Sequence, residues 1–296
     1  MQSSYPFLSV DYFIEISDIA LLEIGHTLPN MTKYNYPVIF VKTEILNNFI
    51  DSLLSIQKPY KLITGCNDDM AVPYIHYPTN DTYIIDRHNR LLDHSYLLKW
   101  YSKNICIHHP KLTAIPIGPK MQWHTSNFFG EDKTKLLERY NKYYLKPQEL
   151  LLNSESKPNL LYMNMDASTT NDPFYKDHAN IRKNTIDSLV SKGFTLSQGK
   201  ANEEYILELQ TYKFCISPPG RGIDAHRTWE ALMLGTIPIC ISSSLDSIYE
   251  KLPVLILSDY SCITREYLNE QYTKMKDKEY DFSVLYCDYW KHTIEN

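Results

Sequence analysis

The residue types that can do chemistry crowd into one stretch, Lys213 to Ile241. An apolar run, Phe214-Cys215-Ile216, leads into Ser217-Pro218-Pro219-Gly220-Arg221-Gly222, and a helical pattern follows that carries His226, Arg227 and Glu230. A strand that runs through a glycine-containing loop into a helix N-terminus presents main-chain amides to an anion. Gly220 and Gly222 let the backbone approach a ligand closely. Ser217 closes the strand, and Arg221 and Arg227 supply guanidinium forks that match phosphate oxygens. The helix dipole opposes a cation in the first turn by roughly 0.3–1 kcal/mol. His226 and Arg227 at that position therefore point to an anion between them and the helix, with Asp224 as the expected N-cap.

Glu230 has two readings. It shares a helix face with His226 (i, i+4) and with Arg227 (i, i+3), which would make a local ion pair worth a few tenths of a kcal/mol. It is equally placed to accept hydrogen bonds from ribose hydroxyls, as acidic residues do in other nucleotide-binding α/β sites. Arg182, a short way after the strand-like run Asn159–Met163, is a further phosphate-contact candidate in the same βα unit. Asp68 and Asp69 lie just past the strand-like Tyr60–Thr64. One of them would serve as general base or acceptor contact, although such loops also occur as plain turns. With no Asp-x-Asp spacing and no His nearby, no metal site is expected there.

Strand-like runs alternating with helical ones must position these groups. The first half reads as strand Tyr36–Val41, helix Thr43–Ile56 with Thr43 as N-cap, strand Tyr60–Thr64, strand-like Tyr83–Asp86, helix Leu91–Trp100, and strands Asn104–Ile107 and Leu112–Ile117. After a charged helical stretch, Gly130–Leu152, the polar run Asn153–Pro158 marks a boundary. The second half continues with strand Asn159–Met163, helix Asp177–Ser191 closed by Gly193, helix Asn202–Thr211, strand Lys213–Ser217, helix Asp224–Leu234 stopped by Gly235, and strands Ile237–Ile241 and Val254–Leu257. Such alternation predicts parallel sheets. The expected layout is α/β, with two Rossmann-like domains (1–152 and 153–276) facing a cleft and an aromatic-rich helical tail (277–296) packing back on the body.

Composition narrows the ligand. The 296 residues are 43% hydrophobic and 22% charged, enough to bury substantial cores, and a net charge of −5 lacks the basic footprint of a nucleic-acid binder. Phosphate would have to be held locally, which favours a small molecule. Six cysteines without CxxC or zinc spacing read as core thiols in a reducing compartment. No run reaches the roughly 20 apolar residues a membrane span needs, and no signal peptide is readable, so a soluble, cytoplasmic protein is expected.

The Lys213–Ile241 block, with its "HRTWEAL" and "LGTIPI" segments, resembles the nucleotide-sugar half of exostosin-like glycosyltransferases. Weaker likenesses occur at Thr64–Pro73, Lys99–Asn104 and Pro110–Gly118, so the resemblance spans most of residues 60–258. It implies the two-domain GT-B fold, with Glu230 and Arg221 contacting a nucleotide diphosphate sugar and Arg227 as a second phosphate contact. It also implies transfer of the sugar, UDP-linked in most members, to a hydroxyl on a glycan, protein or small-molecule acceptor. The expected reaction is inverting, without a metal or other cofactor, because cationic side chains neutralise the leaving group. Members of that family are commonly membrane-anchored, and this sequence departs from them there. A catalytically silent sugar-nucleotide binder is the competing class. An epimerase-type enzyme lacks its GxGxxG fingerprint here.

Overall fold

The computed structural model describes residues 5–66, 72, 81–120, 133–166, 176–200 and 202–296. These form two compact units, one of 1–117, 222–224 and 286–296, the other of 118–221 and 225–285. Both are α/β, and every strand pairing in their sheets is parallel.

Unit 1 begins with α1 (Val10–Glu15) and β1 (Ile19–Leu21), followed by β2 (Val38–Lys42), α2 (Leu46–Leu54), β3 (Tyr60–Gly65), α3 (Thr82–Asp93), β4 (Leu97–Ser102) and β5 (Leu112–Ala114). The strands lie in the order β1-β2-β3-β4-β5. Val38 to Val41 and all of β3 are buried, the unbroken apolar pattern of strands covered on both faces.

Local readings of this half fail where tertiary partners intervene. The helix expected at Leu91–Trp100 and the strand-like run at Tyr83–Asp86 exchange roles. Asp81 caps α3 by accepting from the Tyr83 and Ile84 amides, and Arg87, His88, Leu91 and Leu92 form its buried face. The following residues become β4, where Trp100 is fully buried and donates its indole N–H to Thr64 Oγ1 at 2.9 Å. Thr43 caps nothing. Its hydroxyl donates to the Gly65 carbonyl at 3.0 Å, and a short 3-10 turn precedes α2. Asn104–Ile107 is no strand: Asn104 takes φ 50°, and only Ile105 makes a β-bridge, to Val72.

Unit 2 holds α4 (Lys133–Tyr143), α5 (Pro147–Leu152), β6 (Asn159–Tyr162), α6 (Lys176–Ser191), α7 (Asn202–Leu209), β7 (Tyr212–Ile216), α8 (His226–Met233), β8 (Ile237–Ile241), α9 (Asp246–Tyr249), β9 (Leu255–Leu257) and α10 (Arg265–Met275). Its sheet runs β6-β7-β8-β9. The extended return after α6 touches the end of β6, where the Ser197 amide donates to the Met163 carbonyl at 2.7 Å. All four strands are parallel and in sequence order, so their carboxyl ends share one edge of the sheet, the edge at which open α/β folds bind ligands. Gly235 closes α8 at φ 64°, and a Cβ there would meet the Leu151 amide nitrogen at 2.4 Å.

The boundary expected at 152 moves to Ile117/Gly118. The polar run that suggested it lies inside unit 2, because the buried Lys157 ammonium donates to the carbonyls of Gln210 (3.0 Å) and Leu234 (3.1 Å) and to Thr236 Oγ1 (3.4 Å). The tail is also divided. Its last part, including α11 (Cys287–Glu295), belongs to unit 1. There Tyr286 bridges Phe7 in antiparallel fashion, Lys61 Nζ donates to the Ile294 carbonyl at 2.5 Å, and Trp290 packs edge-on against Phe13. Among the described residues no helix is long and apolar enough to cross a membrane.

Candidate functional site

The candidate site is the region past the carboxyl ends of β6 and β7 in unit 2. Residues Met163–Asp166 extend beyond β6, Ser217–Arg221 extend beyond β7, and α6, α7 and α8 carry the side chains around them.

From α6, His178 and Arg182 stand one turn apart on the same face. Both grip the β7 loop: His178 Nδ1 donates to the Gly220 carbonyl at 2.9 Å, and Arg182 Nε donates to the Pro219 carbonyl at 2.8 Å. A further Arg182 N–H reaches the Asp166 carbonyl at 3.3 Å, so this guanidinium ties the two strand-end segments together. In a trans peptide C=O and N–H point in opposite directions. With the Pro219 and Gly220 carbonyls turned to α6, the Gly220 and Arg221 amides face away from it. A Cβ at Gly220 would come within 3.2 Å of the Arg182 guanidinium, so a larger residue there would press on that group.

Arg182 is 9% exposed. Burial, and after it the neighbouring positive charge of Arg227, bring its pKa down to about 10. Arg227, from the first turn of α8, is half-buried, and its Nε has no hydrogen-bond partner. Burial acts to lower its pKa, but Tyr205, Cys215 and Glu230 outweigh it and raise the value, so Arg227 remains a cation. Two guanidinium groups from different helices are thus held close enough to repel each other.

Several expected roles change. The partner of Arg227 is Arg182, whereas Arg221 is exposed. Asp224 does not cap α8; the N-cap is Ala225, which makes no side-chain cap bond. Asp224 instead belongs to unit 1, where its carboxylate accepts the Ile117 amide at 2.8 Å and its own amide donates to Asn104 Oδ1 at 2.7 Å. A buried amide is costly to leave unsatisfied, and this one takes the carboxylate. Gly222, also buried, belongs to unit 1 as well. Ser217 stitches the loop to α8 through a 2.7 Å hydroxyl contact with Thr228. His226 Nδ1 donates to the Gly118 carbonyl at 2.8 Å.

Glu230 makes no ion pair with His226 or Arg227 within bridging distance. Its two oxygens accept from the Tyr205 hydroxyl at 2.9 Å and the Lys120 amide at 3.2 Å. Tyr205 and His178 were not singled out from the sequence as ligand-site residues. The signal for His178 was its spacing of four from Arg182 on a predicted helix; Tyr205, one of 24 tyrosines, carried none. Asp68 and Asp69 lie outside the described residues.

No family model and no curated protein matches this sequence. Among solved structures, the spinosyn rhamnosyltransferase SpnG complexed with spinosyn aglycone is similar over 88% of this chain and 73% of its own, with a TM-score of 0.37 and 12% identity. That likeness is too slight to carry a fold or an activity from one chain to the other.

Proposed function

We propose that unit 2 binds a nucleoside diphosphate sugar, UDP-linked by resemblance, and that the protein transfers the sugar to a hydroxyl acceptor as a GT-B, exostosin-like glycosyltransferase. The observation that carries this reading is the Arg182–Arg227 pair beside the segments that follow β6 and β7. Like charges held together and partly out of water are unfavourable alone. A dianion between them removes that cost. A diphosphate provides the charge, and the crevice at the carboxyl ends of parallel strands is where nucleotides sit in open α/β sheets.

In the proposed reaction the acceptor hydroxyl loses its proton to a general base as its oxygen attacks the anomeric carbon, and the bond to the diphosphate breaks with inversion. Negative charge grows on the departing phosphate oxygen. Arg182 and Arg227 are placed to stabilise that charge without a metal ion, because they are already oriented in a low-dielectric setting. Asp68 or Asp69 is the proposed base.

Calorimetric titration with UDP tests the binding half, and UDP release from a panel of UDP-sugars, with and without acceptors, tests the transfer half. Saturable UDP binding that weakens by roughly tenfold or more in both Arg182→Met and Arg227→Met is expected. Affinity unchanged by both substitutions would end the reading. Tight binding with no release from any donor would leave a silent binder in place of the enzyme.

A further inference from the structure

Glu230 sits deep for a residue expected to receive ribose hydroxyls. It is 7% exposed, and both its oxygens already accept hydrogen bonds from within unit 2. The Tyr205 hydroxyl that donates to it comes from α7, and the Tyr205 phenol neighbours the Arg227 guanidinium, one turn before Glu230 on α8. A connected run of contacts therefore leads from Arg227 through Tyr205 and Glu230 to the main chain at Lys120.

We infer that Glu230 is a positioning residue, which holds Tyr205, and through it the Arg227 guanidinium, in the attitude that meets the ligand's phosphates. This rests on the reading of the candidate site as a nucleoside-diphosphate site. A lone phenol can turn its proton toward any acceptor. Once that proton is committed to a carboxylate, the phenol oxygen can only accept, and it becomes a better acceptor for the neighbouring guanidinium. Glu230 thereby removes a rotational choice from Tyr205, and Arg227 gains one fixed partner. The second carboxylate oxygen ties the assembly to the Lys120 amide, so α8 does not carry the alignment alone. Burial of Tyr205 together with the Glu230 charge pushes the phenol well above its ordinary pKa, which keeps the donated proton in place across the working pH range.

Inorganic pyrophosphate has the phosphates without the ribose, so it separates the two roles of Glu230. Calorimetric affinities for UDP and for pyrophosphate are compared in the wild type, Glu230→Gln and Tyr205→Phe, with unfolding midpoints as a check on folding. The expected result is that Glu230→Gln weakens both ligands by the same factor, roughly tenfold, about what one well-aligned charged hydrogen bond is worth. Tyr205→Phe should weaken both in the same sense. It keeps the ring, so it decides the matter if Glu230→Gln folds poorly. Loss of UDP affinity alone in Glu230→Gln, with pyrophosphate unchanged, would assign Glu230 to the ribose and overturn the inference. Unchanged affinities in Tyr205→Phe would overturn it too. A wild type that bound neither ligand would instead remove the nucleoside-diphosphate reading itself, and this inference with it.

Discussion

Two buried cations in unit 2 look alike by burial and differ in company. Lys157 is 1% exposed, and its ammonium gives all three donors to main-chain and hydroxyl oxygens just past the C-terminal ends of α7 and α8. Arg182 is 9% exposed and also donates to carbonyls, but it stands beside a second cation, Arg227. The Lys157 seat is complete in hydrogen bonds, with every donor used near two helix C-termini, yet burial still brings its pKa down to about 7. The Arg182 seat brings a second guanidinium beside the first, with Asp166 as a neighbouring carboxylate that acts the other way. Burial of a charge therefore does not mark a ligand site by itself. A pair of like charges brought together from separate helices is the more informative sign.

That contrast predicts opposite phenotypes. Lys157→Met should leave the Gln210 and Leu234 carbonyls without their buried donor and cost about 3 kcal/mol of stability by urea unfolding, the scale of breaking a buried charged contact. The fraction that folds should bind UDP with unchanged affinity. A variant that lost binding and kept its stability would erase the distinction between the two seats.

Arg182→Met should do the reverse. UDP affinity is expected to fall roughly thirtyfold, about 2 kcal/mol. The unfolding free energy should change by less than about 1 kcal/mol, because losing two carbonyl contacts is offset by relief of the repulsion with Arg227. Calorimetry and urea unfolding on the same preparation measure both quantities, and a large stability loss without an affinity loss would make Arg182 a second Lys157.

A third buried base sharpens the comparison by giving up its charge altogether. His88 in unit 1 is fully buried, with Nε2 against Asn47 Oδ1, and burial followed by the adjacent Arg87 charge lowers its pKa from 6.5 to about 3. Between those two values the unfolded chain binds a proton that the folded chain refuses. Stability should therefore be full above pH 6.5 and fall as the solution is acidified through that window, by at most about 1.4 kcal/mol per pH unit from this group. His88→Gln should flatten that part of the profile, and an unchanged slope would show that His88 does not set it.

How much of this was legible in advance differs between the units. The strand–loop–helix block around Gly220 was readable because its signals are local: an apolar run, glycines and a charged helical repeat within a short stretch. The exchange of helix and strand at Tyr83–Trp100 was not, because β-branched and aromatic residues there fit either pattern. The choice depended on an Asp81 cap and on Trp100 reaching Thr64 across the sheet. Arg182 was one candidate among several. Its nearness to Arg227 brings together side chains far apart in sequence, and no periodicity encodes that.

By itself the sequence determined the α/β class, the parallel alternation and the location of the glycine–arginine loop, since each follows from the residue pattern along a few turns of backbone. Tertiary structure decided which arginine stands beside Arg227, where the Asp224 carboxylate goes, and that Glu230 is engaged by Tyr205 and Lys120. The reason is that a buried donor takes whichever acceptor the fold brings within reach, and for these groups that acceptor comes from a distant part of the chain.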